Sequence, residues 1–412
     1  MDMISELPDD LLLRILSLLP TKGVAATMVL SKRWRSLWTM VPRLEYDSLR
    51  GDTEQIAFTE FVYRSLLSNK APVLQSLRFC IDSRSTRAKH LRRWVEIAVE
   101  RRVRELDILY KIIGYEKSII PLPSSLYTCG TLETLILREC VLVDALPQSC
   151  FPSLKTIRLI GACNLDPECF YALLSSCPVL EDLVVELYFK WEKTYTIAVP
   201  SLQRLSTHNI CGIYGGLVIN APSLKYLNIV DRDISGSLVV ENMPKVVEAI
   251  VRVFAAVPSP KLLGSLASVR RLSLDVECVL LPKDIVFHQL VHLELYTRGK
   301  DWCDVLAYML ERSPNLRVLE IKNDWCDAGP RDWWKQPNHV PRCLLSSLET
   351  FRWKNCRGYL EKEVAEYILT NATCLKMASV QQKGYFDLEE QQLILQDRAS
   401  MARGSTSLVF DD

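Results

Sequence analysis

One recurring phrase, Leu-x-x-Leu-x-Leu with other apolar residues allowed at each leucine, constrains the fold more than any other feature of the sequence. Its twelve copies begin at Leu74, Val103, Leu132, Leu154, Leu180, Leu202, Leu224, Val246, Val269, Leu290, Leu316 and Leu348. Residues two apart in a β-strand point to the same side, so each phrase predicts a short strand with one buried face. Stacking one copy on the next joins these strands into a parallel sheet over a continuous core.

The spacing of the copies predicts a leucine-rich-repeat solenoid. Between Leu132 and Leu290 successive copies start 21–26 residues apart, within the range of about 20–29 residues that leucine-rich repeats show. Apolar residues also recur at helical spacing in residues 90–102, 168–177 and 302–312. We therefore expect an α/β fold with parallel strands on one face of the solenoid and helices or loops on the other.

The first 44 residues follow a different pattern, that of three short helices. Leu7, Leu11, Ile15 and Leu19 are among the residues of an apolar stripe that ends before Pro20. Two further helices are predicted after Pro20, the second of them beginning after Ser31. A unit of about 40 residues seldom buries enough apolar surface to be stable alone. We therefore expect a partner protein to cover part of it.

Three segments of this region resemble the F-box of plant F-box proteins. They are LPDDLL at residues 7–12, LLPTK at residues 18–22 and VLSKRWRSLW at residues 29–38. Gly23 stands where the family often has Asp; at a helix cap this change costs only about a few tenths of a kcal/mol. The resemblance implies docking on a Skp-type adaptor, and through it on a cullin, in an SCF (Skp–cullin–F-box) ubiquitin ligase. The rest of the chain would then bind the protein to be ubiquitinated.

The residues expected to bind the adaptor are apolar and lie on the predicted helices. They are Leu7, Pro8, Leu11, Ile15, Leu16, Leu30, Trp34 and Trp38. Some of them must instead form the core of the helical unit itself. On this hypothesis a glutamate in place of Leu16 abolishes adaptor docking while the solenoid still folds.

The C-terminal part of the chain resembles the FBD domain. The resemblance rests on Trp334, Pro337, Val340-Pro341, Trp353, Gly358, the segment EVAEYIL at residues 363–369, Arg398-Ala399-Ser400 and the closing Val409-Phe410-Asp411. Residues 360–371 also predict an amphipathic helix, as expected of a cap that shields the end of a solenoid. The predicted domains are therefore an F-box at residues 1–44, a solenoid at 45–330 and an FBD cap at 331–412.

Composition excludes several kinds of partner. The chain has 50 Lys and Arg against 49 Asp and Glu, which supplies no general attraction to nucleic acid or to an acidic membrane surface. No apolar stretch reaches the roughly 18 residues of a membrane helix, and no secretory signal is predicted. The 14 cysteines include no Cys-x-x-Cys pair, which is typical of reduced thiols. We expect a cytoplasmic or nuclear protein that binds neither nucleic acid nor membrane.

Motifs of the common enzyme classes do not occur in the sequence. It contains no GxxxxGK[ST] phosphate loop, no GxSxG nucleophile elbow and no HExxH zinc helix. We therefore expect a non-catalytic subunit with no catalytic residues, no cofactor and no metal.

Three alternatives to the receptor role stay open. The first is an F-box receptor that holds a small molecule in the solenoid. The second is a scaffold that binds the adaptor but never joins a cullin, and the third is an enzyme whose nucleophile and base are brought together only by the fold. The identity of the target cannot be derived from the repeats, since the fold hosts many partners.

Overall fold

The structure, a computed structural model, describes most of the chain. The described residues are 4, 7–49, 55–84, 86–111, 113, 122–139, 151–161, 166–186, 193–208, 215–231, 238–241, 243–253, 260–276, 281–282, 284–297, 302–323, 334–356, 359–382 and 407–409. The chain divides into two units. The first comprises Met1–Phe189 and Ile197–Leu202, and the second comprises Lys190–Thr196 and Gln203–Asp412.

The first unit begins with three short helices, as the sequence predicts. They are α1 (Asp9–Leu16), α2 (Thr21–Ala26) and α3 (Lys32–Leu37). Pro8 and Pro20 immediately precede α1 and α2, where the missing N–H of proline costs no helical hydrogen bond. The three helices and the chain that follows share one small core, made by Leu12, Leu16, Val24, Trp34, Leu37 and Val41.

A parallel sheet of six strands follows in the same unit. Its elements are β1 (Arg43–Asp47), α4 (Gln55–Ser68), β2 (Ser76–Asp82), α5 (Ala88–Glu100), β3 (Glu105–Lys111), α6 (Ser124–Tyr127), β4 (Thr134–Glu139), β5 (Thr156–Ile160), α7 (Pro167–Ser175) and β6 (Asp182–Glu186). The strands pair in chain order. Leu77, Leu106 and Leu135 align across three strands, and all three are 0% exposed. The ladder of inward leucines is thus the core that the phrase predicts.

The second unit repeats this architecture. After β7 (Thr194–Ala198), which crosses the division between the units, its elements are β8 (Arg204–His208), β9 (Gly216–Asn220), β10 (Tyr226–Asp231), β11 (Leu238–Glu241), β12 (Glu248–Val253), α8 (Pro260–Ser265), β13 (Arg271–Val276), β14 (His292–Tyr296), α9 (Trp302–Arg312), β15 (Val318–Lys322), α10 (Arg342–Ser346), β16 (Thr350–Cys356), α11 (Tyr359–Asn371), β17 (Met377–Gln382) and β18 (Ser407–Val409). Strands β8, β10 and β12 to β18 form its parallel sheet. All twelve copies of the phrase therefore form strands, and the α/β fold class is confirmed.

Strands β1, β17 and β18, at the two ends of the repeat region, were not predicted. β1 follows Val41 with Leu44 and Tyr46 buried, and β17 contains the buried residues Ala378 and Val380. Both match a degenerate form of the phrase. Pro42 makes the first copy resemble the end of a helix, and a small alanine weakens the second. β1 begins at Arg43, so this strand lies across the predicted domain boundary at residue 44.

The side of the repeats opposite the main sheet is more varied than expected. Helices α5, α7 and α9 lie where the sequence predicts them. Between β8 and β12, however, this role is taken by β9 and β11, which pair with each other in parallel. The repeats there are only 22 residues long, and the segments are rich in valine and isoleucine, which favour strands. The predicted helices therefore lie in the longer repeats, and these short repeats carry strands where helices or loops are expected.

The helix predicted at residues 360–371 is confirmed as α11. Glu361 on this helix is 4% exposed, and it accepts a hydrogen bond of 2.6 Å from the Nδ2 of Asn323, just after β15. The boundary predicted at residues 330 and 331, Gly358, Arg398 to Ser400, and residues 410 and 411 lie outside the described residues. Within the described part of the chain, no helix combines the length and the apolar character needed to cross a bilayer.

Candidate functional site

The eight residues predicted to bind an adaptor divide into two groups. Pro8, Leu11, Ile15 and Leu30 are exposed, and Leu7 and Trp38 are partly buried. Leu16 and Trp34, by contrast, are 1% and 4% exposed and belong to the core of the helical unit. These two residues support the exposed surface by packing below it. They cannot contact a partner unless the helical unit unfolds at least locally.

Several exposed apolar residues of the helical unit were missed. Together with three of the predicted residues they form what we term the exposed apolar set, Ile4, Leu11, Ile15, Leu18, Leu19, Val29 and Leu30. Leu18 is 82% exposed and Val29 is 86% exposed. Leu18 lies just beyond the end of α1, and Val29 is the last residue of a short 3-10 helix, Thr27–Val29. An apolar residue at a helix end is the signal that could have marked them.

Leu11 and Ile15 are the best defined members of this set. They lie four residues apart on α1, so their side chains occupy the same face one turn apart. A neighbouring face of the helix, turned by about 100°, carries Leu12 and Leu16 into the core. α1 is thus apolar on two faces, and only one of them is covered within the described part of the chain.

Arg33 on α3 holds the start of α1 in place. Its Nε donates to Oδ1 of Asp9 at 2.8 Å, and its Nη2 donates to the carbonyl oxygen of Leu7 at 2.6 Å. Arg33 therefore serves the internal structure of the unit. Gly23 lies within α2 and not at its cap, where glycine costs about 0.5–1 kcal/mol relative to alanine.

Three hydrogen bonds tie the helical unit to the first repeat. The backbone N–H of Glu45 on β1 donates to Oγ1 of Thr21 at 2.8 Å. The Nδ2 of Asn69, after α4, donates to the carbonyl of Val41 at 2.9 Å, and the N–H of Lys70 donates to the carbonyl of Thr39 at 2.6 Å. The helices are therefore fixed to the sheet and not joined to it by a free linker.

The guanidinium of Arg101, which follows α5, reinforces this junction from the next repeat. It donates to Oδ1 of Asn69 at 2.9 Å and to the carbonyl of Ala71 at 2.8 Å. Asn69 is itself 4% exposed. A buried amide that is held on both sides positions its neighbours closely.

The outward face of the strands carries charges that are paired along the sheet. In the first unit, Nε of Arg78 lies 3.4 Å from Oδ2 of Asp107, and Nε of Arg138 lies 3.1 Å from the other oxygen of the same carboxylate. These residues come from β2, β3 and β4. The face thus presents alternating charges in a fixed order, a pattern suited to selective recognition by a protein surface.

A denser polar cluster lies on the strand face of the second unit. Nζ of Lys322 is 2.6 Å from Oε2 of Glu294, and Oγ of Ser273 donates to Oε1 of the same carboxylate at 3.0 Å. The guanidinium of Arg252 lies 4.5 Å from the ring centre of Tyr296. Tyrosine and arginine held in this way are common anchors at protein interfaces.

The charges in this cluster shift the pKa values of its members. Burial of Glu294 opposes ionisation, but the hydrogen bond from Lys322 and its positive charge outweigh burial, so the pKa of Glu294 lies below its ordinary value. Burial and the positive charge of Arg271 lower the pKa of His292. At neutral pH the cluster therefore contains an ionised Glu294 and a neutral His292.

One group of side chains among the described residues has the spacing of metal ligands. One ligand atom each from Glu45, Asp47 and Cys80 lies within 4.8 Å of the others. A cysteine binds a metal as thiolate, whereas burial raises the pKa of the Cys80 thiol. Arg78 also lies beside Glu45, at 3.9 Å. The chemistry of this group favours a protonated thiol next to paired charges.

Comparison with known proteins identifies three regions of the chain. The family model of the F-box domain matches residues 4–46, and that of the FBD matches residues 336–380. A model of the LRR repeats of FBD-associated F-box protein At5g56370 matches residues 91–249.

Full-length relatives show the same organisation. The chain is 43% identical to the F-box/FBD/LRR-repeat protein At4g26340 of Arabidopsis thaliana, over 100% of both chains. It is 44% identical to the F-box/FBD/LRR-repeat protein At5g56420 of the same plant, over 100% of this chain and 99% of the relative. A third relative, F-box/FBD/LRR-repeat protein At4g00160, is 41% identical over 99% of this chain and 94% of its own.

Proposed function

We propose, from the premise that this chain belongs to the plant F-box/FBD/LRR-repeat family, that it is the target-binding subunit of an SCF-type E3 ubiquitin ligase. The F-box docks on a Skp-type adaptor, and the repeats with the FBD region bind the protein to be ubiquitinated. The chain performs no chemistry in this role. It raises the local concentration of target lysines near a ubiquitin-conjugating enzyme that is loaded with ubiquitin. The transfer of ubiquitin from a dilute partner thereby becomes a nearly intramolecular reaction.

The exposed apolar set is the observation that carries the proposal. The helical unit has a buried core of its own, and yet seven large apolar side chains remain exposed outside that core. Covering each of them contributes up to about 1.5–3 kcal/mol. Association itself costs about 4–15 kcal/mol, so a stable complex requires a partner that covers several members of the set. This surface therefore supports adaptor docking by the unexpected residues Leu18 and Val29 as well as by Leu11 and Ile15.

The junction between the helices and the first repeat supports the same role. A receptor that works by proximity must hold its target at a defined distance from the adaptor, because a loose connection dilutes the effective concentration. Two hydrogen bonds provide such a connection within the first unit. The N–H of Glu45 donates to Thr21, and the side chain of Asn69 donates to the carbonyl of Val41. The paired charges on the strand faces supply surfaces of defined pattern for a target protein.

Charge reversal on the exposed face of α1 tests the proposal. Leu11→Glu combined with Ile15→Glu places two carboxylates where the partner must bury apolar groups, and we expect co-purification of the Skp-type adaptor from plant cells to fall at least about tenfold. Unlike Leu16→Glu, this double variant leaves the core of the unit intact. Unchanged recovery of the adaptor would contradict the proposal.

The matched control is Ile56→Glu on α4. Ile56 is 80% exposed and lies outside the F-box, so the same chemical change there should leave adaptor recovery at the level of the unaltered chain. Circular dichroism of both variants checks that the helices are retained. A parallel loss in the control would show that surface charge in general, and not the exposed apolar set, governs recovery.

The same purification separates the receptor role from that of a scaffold. Recovery of a cullin with the adaptor is expected for a ligase subunit, and adaptor without cullin indicates the scaffold. We further propose that the complex forms in the cytoplasm or the nucleus, which is supported by the eight cysteines that stay free among the described residues. Fractionation before purification tests this, since recovery from a secretory fraction would contradict it.

A further inference from the structure

In each unit a column of residues runs along the edge where the strands begin. It consists of the second residue of each phrase, and in the first unit its charges are neutralised in sequence. Nη1 of Arg104 lies 3.9 Å from Oε1 of Glu133, and Nζ of Lys155 lies 3.4 Å from Oε2 of the same glutamate. Near the end of the second unit, Lys376 and Glu349 are paired in the same way at 3.2 Å. Neighbouring repeats therefore usually balance each other's charge at this edge.

The charges are not balanced at Lys225 or at Arg270 and Arg317. Lys225 has no acidic neighbour in the column, but its Nζ donates to Oε1 of Gln203 at 3.0 Å. Arg270 and Arg317, by contrast, lack even such a polar partner in the described ranges.

Only Val291 lies between Arg270 and Arg317 in the column, because its N–H bonds to the carbonyl of Arg270 and its carbonyl accepts from the N–H of Arg317. Both arginines are exposed. Among the described residues neither guanidinium has a hydrogen bond or an ion pair. Glu349 follows Arg317 in the column but is engaged by Lys376.

A third arginine joins them from another element. Arg342 is the first residue of α10, and it lines the same depression of about 580 Å³ as Arg270 and Arg317. Its guanidinium likewise makes no ion pair within the described part of the chain. Positions two strands apart in a sheet are about 10 Å apart, so the flexible side chains of Arg270 and Arg317 can both reach a ligand between them.

The floor and rim of the depression are fixed by other bonds. Nδ2 of Asn315 donates to the carbonyl of His288 at 2.8 Å, and Oγ of Ser347 donates to the carbonyl of Leu316 at 2.9 Å. These polar groups are satisfied, whereas the arginines around them are not. Three like charges around one cavity repel each other, and an anion placed there relieves the repulsion.

We propose that this depression binds an acidic segment of a partner protein, with side-chain carboxylates paired to Arg270, Arg317 and Arg342. A chain of net charge +1 has no general attraction to a polyanion, so the attraction is local. The spacing of the arginines suits carboxylates a few residues apart on an extended peptide. The inference rests on the proposed receptor role only in taking the ligand to be part of a protein.

Binding of a labelled hexaglutamate peptide to the full chain, measured by fluorescence anisotropy, tests the inference. The double variant Arg270→Ala with Arg317→Ala should bind the peptide at least about tenfold more weakly than the unaltered chain. Raising the ionic strength from about 0.05 to about 0.3 M should weaken binding to the unaltered chain, because exposed charges are screened. Arg104→Ala is the matched control. Arg104 occupies the corresponding position in a repeat of the first unit, where it already pairs with Glu133.

Several outcomes would overturn the inference. These are no binding at about 1 mM peptide, equal loss in the Arg104→Ala control, or competition by inorganic tripolyphosphate or duplex RNA with affinity well above that of the peptide. Adaptor co-purification of the double variant serves as a separate readout. It should be unchanged, so a failure of peptide binding is distinguishable from a failure of the proposed ligase role.

Discussion

Ile15 and Leu16 are adjacent and chemically alike, and yet they do different things. Leu16 is 1% exposed in the core of the helical unit, whereas Ile15 is 44% exposed. A step of one residue turns a helix by about 100°, which separates the core face of α1 from its outer face. The sequence marks both residues as apolar. Which face is covered depends on α2 and α3, whose positions the sequence of α1 does not contain.

Alanine at these two positions should separate stability from docking. Leu16→Ala is expected to destabilise the helical unit by about 2–5 kcal/mol, since it leaves a cavity in a small core. Ile15→Ala should change the stability by less than about 1 kcal/mol while weakening adaptor binding. Amide hydrogen exchange of α1 to α3 measures the first effect and adaptor titration the second. Equal protection of the amides in the two variants would contradict the placement of Leu16.

At the scale of elements, α5 shows how a helix is fastened to the sheet. Trp94 is 0% exposed, and its ring stacks on Phe79 of β2 at 5.4 Å between centroids with the planes 20° apart. Phe58 and Tyr63 of α4 meet the same ring edge-on, at 6.3 and 5.7 Å. One side chain thus joins two helices and a strand. The apolar stripe of residues 90–102 predicts the helix but not this three-element contact.

Truncation of this ring should loosen both helices together. Trp94→Ala is expected to cost about 3–5 kcal/mol, with loss of exchange protection in α4 as well as α5. Trp94→Phe keeps an aromatic ring against Phe79 and should lose clearly less. Hydrogen exchange followed by mass spectrometry resolves the two helices. If α4 kept full protection in the alanine variant, Trp94 would not be the link between them.

At the scale of the whole molecule, the helical unit and the repeats are not separable at residue 44. Val41 belongs to the core of the helices and also accepts the bond from Asn69 after α4. β1 begins at Arg43 and pairs along its whole length with β2. Tyr46 stacks on Phe79 at 5.6 Å. The first strand of the solenoid therefore starts inside the segment that the sequence assigns to the F-box.

Deletion of residues 1–44 should consequently damage the repeats. The cut removes two of the five residues of β1, the hydrogen bond to Thr21, and Val41. It leaves β2 only partly covered at the sheet edge, where it is prone to pairing with other chains. We expect a lower Tm and larger species in size-exclusion chromatography than for the Leu11→Glu, Ile15→Glu double variant. The surface variant, which should match the unaltered chain in both measurements, is the better tool for separating docking from target binding. An unchanged Tm for the deletion would contradict the conclusion that residues 1–44 stabilise the repeats through β1.

The sequence by itself determined the strands of the repeated phrase and several of the helices. The phrase predicted twelve strands in parallel stacking and the apolar stripes predicted α5, α7, α9 and α11, because side-chain periodicity within one segment fixes which face is buried. Resemblance to the F-box and FBD families indicated the class of function. On the side opposite the sheet the sequence predicted helices or loops, whereas β9 and β11 are strands, because the short repeats there carry strand-forming residues.

Only the tertiary structure decided which of these residues remain available. Leu16 and Trp34 are covered by other helices, while Leu18 and Val29 are left outside. Arg270 and Arg317 stay unpaired among the described residues because the intervening repeat supplies Val291, at the position where Glu133 pairs with Arg104 in the first unit. Availability depends on neighbours that are distant in the chain, and for that reason the exposed apolar set and the arginine depression required the folded molecule.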